Sequence, residues 1–285
     1  MIRPPAVAGT FYAAEKEKLI KQIENSFKSK FGPGSLPAKK TSDTIFAGIV
    51  PHAGYMYSGP FAAHVYKKIA EAEKPETFVI IGPNHSGVGA PISIPVEGAW
   101  ATPLGQVSID SDLAKKIVQG GEAIVIDETA HLYEHSVEVQ LPFLQYAFGS
   151  KKDSFKFVPI CMMAQDELAA ESVGFAIASV AKKEKLKEKI TVIASSDFSH
   201  YEPAKISNPK DLAAIEAIKN LDVDSFYRII QEKNVTACGF GPIAAAMIYA
   251  KEIGLKKGEL LKYGDSGDTS GDKASVVGYA GIIFR

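Results

Sequence analysis

The chain has little cysteine, no surplus of either charge and no long apolar run. Cysteine occurs only at Cys161 and Cys238, which excludes a secreted disulfide framework and favours a reducing compartment. Lysine plus arginine number 32 against 33 aspartate plus glutamate, so the chain lacks the net field that gathers nucleic acid or an anionic membrane. No stretch reaches the roughly 18 apolar residues of a membrane span, and the first residues lack the apolar core of a signal peptide. We therefore expect a cytoplasmic protein that binds neither nucleic acid nor membranes.

Hydrophobic patterning predicts an α/β fold, because short β-rich runs alternate with longer segments of helical period. The predicted strands cover residues 45–50, 77–81, 92–96, 123–126, 155–160, 190–194 and 275–283. The predicted helices cover residues 15–29, 60–72, 112–119, 137–148, 167–182, 209–220, 223–231 and 242–253. Linker-like composition at 31–37 and a loose stretch at 264–273 do not divide the chain into comparable halves. We expect one domain over residues 1–285, with a mostly parallel or mixed central sheet and helices on both faces.

Titratable side chains follow three of the predicted strands, in loops rich in proline, glycine and serine. His52 follows the first strand, and His85 follows the second. Asp197 and His200 follow the strand at 190–194. A lone histidine in such a loop often only bonds the backbone, but ligands in open α/β sheets bind outside the carboxyl ends of the strands. The joint placement therefore predicts one site at this edge of the sheet.

Cys238 is the expected fourth contribution to this site. It precedes Pro242, which is typical of the first residue of a helix, and flanking glycines permit a tight entry. The partial positive charge at a helix amino terminus favours thiolate, the form that binds metals. Cys161 follows an apolar run and is interpreted as a small buried hydrophobe.

These positions predict a single transition-metal ion bound by His52, His85 and Cys238. Three protein ligands leave a coordination position open for chemistry. His200 is assigned to moving protons at that position, with Asp197 orienting its ring.

The remaining histidines receive other interpretations. His64 lies in an apolar helix, and His131 precedes a helix without a comparable loop, so both are interpreted as structural. His135 is flanked by Glu134 and Glu138, whose spacing places them on one helix face. A role in the pocket wall or behind the metal ligands is slightly favoured for His135 over a purely structural one.

Several motifs together resemble the Memo family, including the prokaryotic members called AmmeMemoRadiSam system protein B. The resemblance rests on PPAVAGTFY at 4–12, PHAGY at 51–55, GPNH at 82–85, EHS at 134–136 with LPF at 141–143, SDFSHY at 196–201 and CG at 238–239. It runs over nearly the whole chain. It implies a fold like that of the class III extradiol dioxygenases, whose metal is non-haem iron.

The resemblance also implies a metal bound through the positions of His52, His85 and Cys238, with His200 where the dioxygenases keep a catalytic histidine. Those enzymes complete their site with a carboxylate, whereas this sequence offers a cysteine. A thiolate is a softer ligand than a carboxylate, so the site could bind copper or zinc as well as iron.

Three functions remain open on the sequence. The first is a redox enzyme in which iron or copper activates oxygen. The second is a module that binds a small molecule or peptide in the crevice, since eukaryotic relatives are described as signalling proteins controlling cell motility. The third is hydrolysis through zinc-bound water or through Cys238 as nucleophile. Protein partners are not indicated.

Overall fold

A computed structural model describes residues 1–38, 40–149 and 154–285. Within these residues a single mixed sheet contains 12 strands. The strands are β1 (Ile2–Arg3), β2 (Ala47–Val50), β3 (Thr77–Pro83), β4 (Ile92–Ile94), β5 (Ala99–Thr102), β6 (Gly105–Ile109), β7 (Val125–Ile126), β8 (Lys156–Met162), β9 (Ile190–Ser195), β10 (His200–Glu202), β11 (Gly258–Asp265) and β12 (Val276–Phe284).

The centre of the sheet is parallel and its margins are mixed. The main path runs β1-β5-β6-β8-β3-β9-β2-β12-β10. The five consecutive strands β6, β8, β3, β9 and β2 run parallel to one another. Strand β12 is antiparallel to β2, β10 and β11, while β4 pairs antiparallel with β8 and parallel with β7. Parallel central strands bring their carboxyl ends to one edge, which is where loops can build a site.

Helices cover both faces of the sheet. They are α1 (Lys16–Lys28), α2 (Gly59–Glu71), α3 (Ser111–Gly120), α4 (Leu141–Phe148), α5 (Glu167–Lys183), α6 (Ala204–Lys219), α7 (Val223–Glu232), α8 (Phe240–Glu252) and α9 (Ser266–Ser270). Helix α2 packs on β2 and β12, and α1 and α4 pack against α2. Helix α8 packs on β9, β2 and β3, and α5 packs against α8. The expected α/β class, a mixed sheet with helices on both faces, is confirmed.

Local sequence explains why these elements form where they do. Every residue of β2, β3 and β9 is buried, as expected for parallel strands covered on both faces. Helices α3, α5 and α7 begin after Asp110, Asp166 and Asp222, each of which accepts a hydrogen bond from a backbone N–H of the first turn. Such caps typically contribute about 1 kcal/mol each.

The structure adds elements that the sequence pattern did not predict. Strands β1, β5, β6, β10 and β11 were not expected, and the stretch 264–273 contains the end of β11 and all of α9 rather than a loose loop. Helix α6 begins at Ala204, so Pro209 lies inside it instead of at its first position. Residues 138–140 form a separate 3-10 turn ahead of α4.

Among the described residues, no helix combines the length and the apolar composition needed to cross a membrane. Both cysteines are free thiols, and Cys161 lies fully buried in β8, as its apolar surroundings predicted.

Candidate metal centre

Three adjacent strands end at the same edge of the sheet and deliver three predicted site residues. Strand β9 lies between β3 and β2, with Val50 opposite Ser195. His52, His85 and Asp197 each come two residues after the last residue of their strand. Because the three strands are parallel, these residues leave the sheet at the same edge and line one crevice.

The crevice at this edge has a volume of about 510 Å³. All five site residues predicted from the sequence line it, namely His52, His85, Asp197, His200 and Cys238. Phe11, His135 and Thr236 line it as well. The structure therefore brings the predicted residues to one place and adds neighbours that the sequence did not assign to it.

Donor atoms in the crevice form two overlapping groups among the described residues. His52, His85 and His135 form one group, and His52, Asp197 and Cys238 form the other. Within each group the donor atoms lie within 4.8 Å of one another, so each group could hold a metal ion. His52 belongs to both groups, whereas His85 and Cys238 do not share a group among the described residues.

His52 is held through both ring nitrogens. Its Nδ1 lies 2.9 Å from Ser195 Oγ, and its Nε2 lies 3.1 Å from Cys238 Sγ. Burial lowers the pKa of His52 well below its usual range, and the neighbouring His135 lowers it further. His52 is therefore neutral near pH 7, the state in which imidazole binds metals.

His85 is oriented by a buried carboxylate. Glu134 Oε1 lies 2.9 Å from His85 Nδ1, and Glu134 Oε2 accepts the backbone N–H of His85 at 2.5 Å. Glu134 also accepts the backbone N–H groups of His135 and Ser136. Burial alone would raise the pKa of Glu134, but the hydrogen bond and charge interaction with His85 and the other donors lower it far below its usual range. An ionised carboxylate behind a histidine fixes the ring and makes it a better ligand.

His200 lies at the open side of the crevice and contacts Thr236. The Thr236 carbonyl lies 2.9 Å from His200 Nδ1, and the Thr236 hydroxyl accepts the backbone N–H of His200 at 2.8 Å. Because a carbonyl only accepts, Nδ1 carries a proton, and in the neutral ring Nε2 presents the lone pair. The expected orienting contact from Asp197 is therefore replaced by one from Thr236.

Asp197, which follows the end of β9, instead accepts hydrogen bonds from the loop that contains His52. Its Oδ1 accepts the backbone N–H of His52 at 2.9 Å and that of Ala53 at 3.4 Å. Burial raises the pKa of Asp197 to about 6, although these donors oppose the rise. The sequence offered Asp197 only as a partner of His200, whereas the structure makes it a candidate donor beside Cys238.

Cys238 approaches β9 closely, just ahead of α8. The backbone N–H of Asp197 lies 3.3 Å from its Sγ. A Cβ on the next residue, Gly239, would lie 2.6 Å from the carbonyl oxygen of Ser195, so only glycine permits this approach. The expected thiolate is not favoured here, because burial and the Asp197 carboxylate raise the pKa of the Cys238 thiol. The helix amino terminus does not outweigh these two effects in the metal-free environment.

His135 stands closer to the donors than the sequence indicated. Its ring stacks on that of His85 with centroids 4.6 Å apart, and Phe11 packs on it at 4.5 Å. Burial lowers the pKa of His135 to about 4, so it is also neutral near pH 7. The sequence signal for this role was the pair Glu134-His135 ahead of a helix. The contact of His135 with the loops after two strands could not be predicted, because it forms only when the chain folds.

The fold and the donor groups together define an α/β protein whose strand ends carry histidine, cysteine and carboxylate donors that could hold a metal. The model of the family described as Memo-like protein matches residues 3–283. The chain belongs to the Memo family.

Curated relatives of similar length agree with this family. A MEMO1 family protein of Methanopyrus kandleri is 50% identical over 286 residues, covering 100% of this chain and 99% of that protein. Another from Sulfurisphaera tokodaii is 50% identical over 288 residues, covering 100% and 99%. Among solved structures, an uncharacterized protein of Escherichia coli K12 superposes with a TM-score of 0.55 at 12% identity, covering 84% of this chain and 99% of its own. At that identity the likeness concerns the fold alone.

Proposed function

We propose that this protein binds one transition-metal ion through His52, His85 and Cys238 and uses it in an oxygen-activating redox reaction. The observation that carries the proposal is the convergence of imidazole, carboxylate and thiol donors at three strand ends and one helix start. Neutral histidines beside a cysteine suit iron, copper or zinc. A bound iron or copper ion would supply the redox chemistry.

The two donor groups offer the proposed ion alternative sets of ligands. His52 is common to both, while His135 groups with His52 and His85, and Asp197 groups with His52 and Cys238. Cys238 must lose its proton on binding, and the nearby cation would stabilise the thiolate that burial disfavours. His135 and Asp197 then stand beside the three proposed ligands as further possible donors.

His200 is the proposed acid and base of the reaction. Its unprotonated Nε2 is available, because Thr236 occupies Nδ1. The imidazole is part of the crevice wall and half-buried, so it can accept a proton from a ligand and return it to water. Asp197 lines the same crevice.

The crevice itself supports a second candidate, binding of a small molecule or peptide without catalysis. A volume of about 510 Å³ falls in the range of small-ligand sites. Phe11 offers an apolar surface beside polar imidazoles, as ligand pockets usually do.

Metal analysis of protein purified without chelator or nickel tag tests the proposal first. We expect close to one iron or copper per chain, and oxygen consumption when a catechol is supplied. In His200→Ala the metal content should remain while oxygen consumption falls, because His200 is assigned to proton transfer. General acid–base catalysis typically contributes about 100- to 10,000-fold in rate.

Other outcomes reassign the site. Loss of metal in His200→Ala would make His200 a ligand. Unchanged oxygen consumption in that variant would leave His200 a structural residue. Zinc as the resident metal, without oxygen consumption, would contradict the redox proposal and favour hydrolysis, whereas no metal at all would favour the binding module.

A further inference from the structure

We propose that Ser195 is a positioning residue that holds His52 in the tautomer with Nδ1 protonated, so that Nε2 presents its lone pair to the metal position. The inference rests on the proposed metal-binding function. It concerns a serine at the last position of β9, fully buried behind His52.

The hydrogen bonds of Ser195 leave one assignment for its hydroxyl proton. Ser195 Oγ lies 2.6 Å from the carbonyl oxygen of Ser136, and a carbonyl can only accept. The hydroxyl therefore donates to Ser136 and has two lone pairs left. One of them lies 2.9 Å from His52 Nδ1, so the imidazole must be the donor there.

Gln140 fills the second lone pair and closes the network. Its Nε2 lies 2.7 Å from Ser195 Oγ and 3.1 Å from the carbonyl oxygen of Pro51. That carbonyl fixes which end of the amide is the nitrogen, and the Oε1 end accepts the hydroxyl of Tyr66 at 2.6 Å. Two backbone carbonyls, of Pro51 and Ser136, thus set the direction of every bond from Tyr66 to His52.

The segment 134–140, which contains Ser136 and Gln140, also supports the second histidine, His85. Ser136 accepts from Ser195 through its carbonyl, donates its N–H to Glu134 Oε1 and donates its hydroxyl to the carbonyl of Pro83. Glu134 in turn accepts from His85. Gly82 must be glycine, since a Cβ there would collide with the Ser136 hydroxyl. One short segment therefore fixes both His52 and His85.

Removing the Ser195 hydroxyl leaves two donors facing each other across the gap, Gln140 Nε2 and the Nδ1 proton of His52. Unpaired buried donors are costly, so His52 relieves one of them by moving its proton to Nε2. In that tautomer the lone pair points away from Cys238. Metal binding then requires the proton to return to an Nδ1 that no longer has an acceptor.

The test compares Ser195→Ala with Ser207→Ala, because Ser207 is also fully buried but lies in α6 with its hydroxyl on Asn208. Nitrogen chemical shifts of His52 at pH 7.5, in metal-free protein, report the tautomer directly. We expect a protonated Nδ1 in the wild type and in Ser207→Ala, and a shift towards protonated Nε2 in Ser195→Ala. Affinity for Zn²⁺, measured by chelator competition, should fall about 10- to 100-fold only in Ser195→Ala.

A bare Nδ1 on His52 in the wild type would overturn the proposal, and this measurement does not depend on the variant folding. An unchanged tautomer or unchanged Zn²⁺ affinity in folded Ser195→Ala would also overturn it. If the wild type binds no Zn²⁺ while its tautomer responds to Ser195→Ala, the metal proposal fails and the positioning role of Ser195 stands.

Discussion

Three imidazoles in the crevice share one arrangement, in which Nδ1 contacts an acceptor and Nε2 of the neutral ring presents its lone pair. Each Nδ1 lies 2.9 Å from its partner, and the pairs are His52 with Ser195 Oγ, His85 with Glu134 Oε1 and His200 with Thr236 O. The partners come from a strand end, a loop and the segment ahead of α8. Three unrelated supports with the same result favour a cation as the common ligand of this crevice.

At the residue scale the sequence identified side chains that line the crevice, but it did not identify the residues that orient them. His52, His85 and Cys238 could be selected because each follows a strand or precedes a helix among glycines and prolines. Glu134, Ser195 and Thr236 could not, because their roles depend on distances between segments far apart in sequence. Ser195 lies 143 residues from His52, for example.

Cys238→Ser should lower metal affinity by more than about 100-fold, since loss of a supporting partner alone already costs about 10- to 100-fold. Cys161→Ser is the matched control, because Cys161 is the other free thiol and lies buried in β8 away from the crevice. Metal content after identical dialysis of both variants is the measurement. Equal retention would refute the role of Cys238. Loss of metal in His135→Ala together with retention in Cys238→Ser would establish the three-histidine group as the site.

At the scale of elements, the long buried strands were predicted, whereas the strands that were missed are short or partly polar. Strands β3 and β9 are fully buried, so their sequences are continuous apolar runs. Among the described residues β11 pairs with β12 alone and is half-buried over most of its length, so its sequence carries lysine, glutamate and glycine. Strands β5 and β6 form a tight hairpin of four and five residues, too short for a clear alternation.

The amino-terminal segment is fastened to the crevice by one buried carboxylate. Glu138 Oε2 forms an ion pair with Arg3 at 2.6 Å and accepts the backbone N–H of Ala6. Glu138 Oε1 accepts the hydroxyl of Tyr12 at 2.6 Å. Phe11, in the same segment, packs on His135. The segment is thereby an integral part of the crevice wall.

Glu138→Gln should lower the free energy of unfolding by about 3 kcal/mol or more, because it leaves the buried Arg3 charge without its partner. Glu134→Gln is the matched comparison, since this equally buried carboxylate lies four residues earlier and faces His85. We expect Glu134→Gln to lower metal affinity roughly 10- to 100-fold, because the acceptor behind His85 loses its charge.

Chemical denaturation and chelator competition on both variants separate the two roles. Glu138→Gln should keep a metal affinity close to that of the wild type while it remains folded. A large loss of affinity in Glu138→Gln with none in Glu134→Gln would reverse the assignment.

At the scale of the whole molecule, the sheet and its hydrophobic core hold several ionisable groups in unfavourable surroundings. His131 is one of them, buried beside the amino terminus, where Arg3 Nε donates to its carbonyl at 2.5 Å. Its Nε2 lies 3.1 Å from the carbonyl of Ser93 and so carries the proton, while Nδ1 has no partner among the described residues. Burial, together with a smaller contribution from the Arg3 charge, lowers the pKa of His131 to about 4.

This histidine predicts a loss of stability in acid. The unfolded chain takes up the proton near pH 6.5 and the folded chain only near pH 4, so the unfolded state binds more protons between these values. The contribution of His131 is therefore complete above about pH 6.5 and declines as the pH falls towards 4, by about 3 kcal/mol in total. His131→Gln keeps a donor for Ser93 and does not titrate. Asp197, whose raised pKa acts in the opposite direction, is present in both proteins and cancels in the comparison. The free energy of unfolding should thus differ between pH 7 and pH 4 by about 3 kcal/mol more in the wild type than in His131→Gln. An equal loss of stability in the two proteins would show that His131 is already protonated, or exposed, in the folded state.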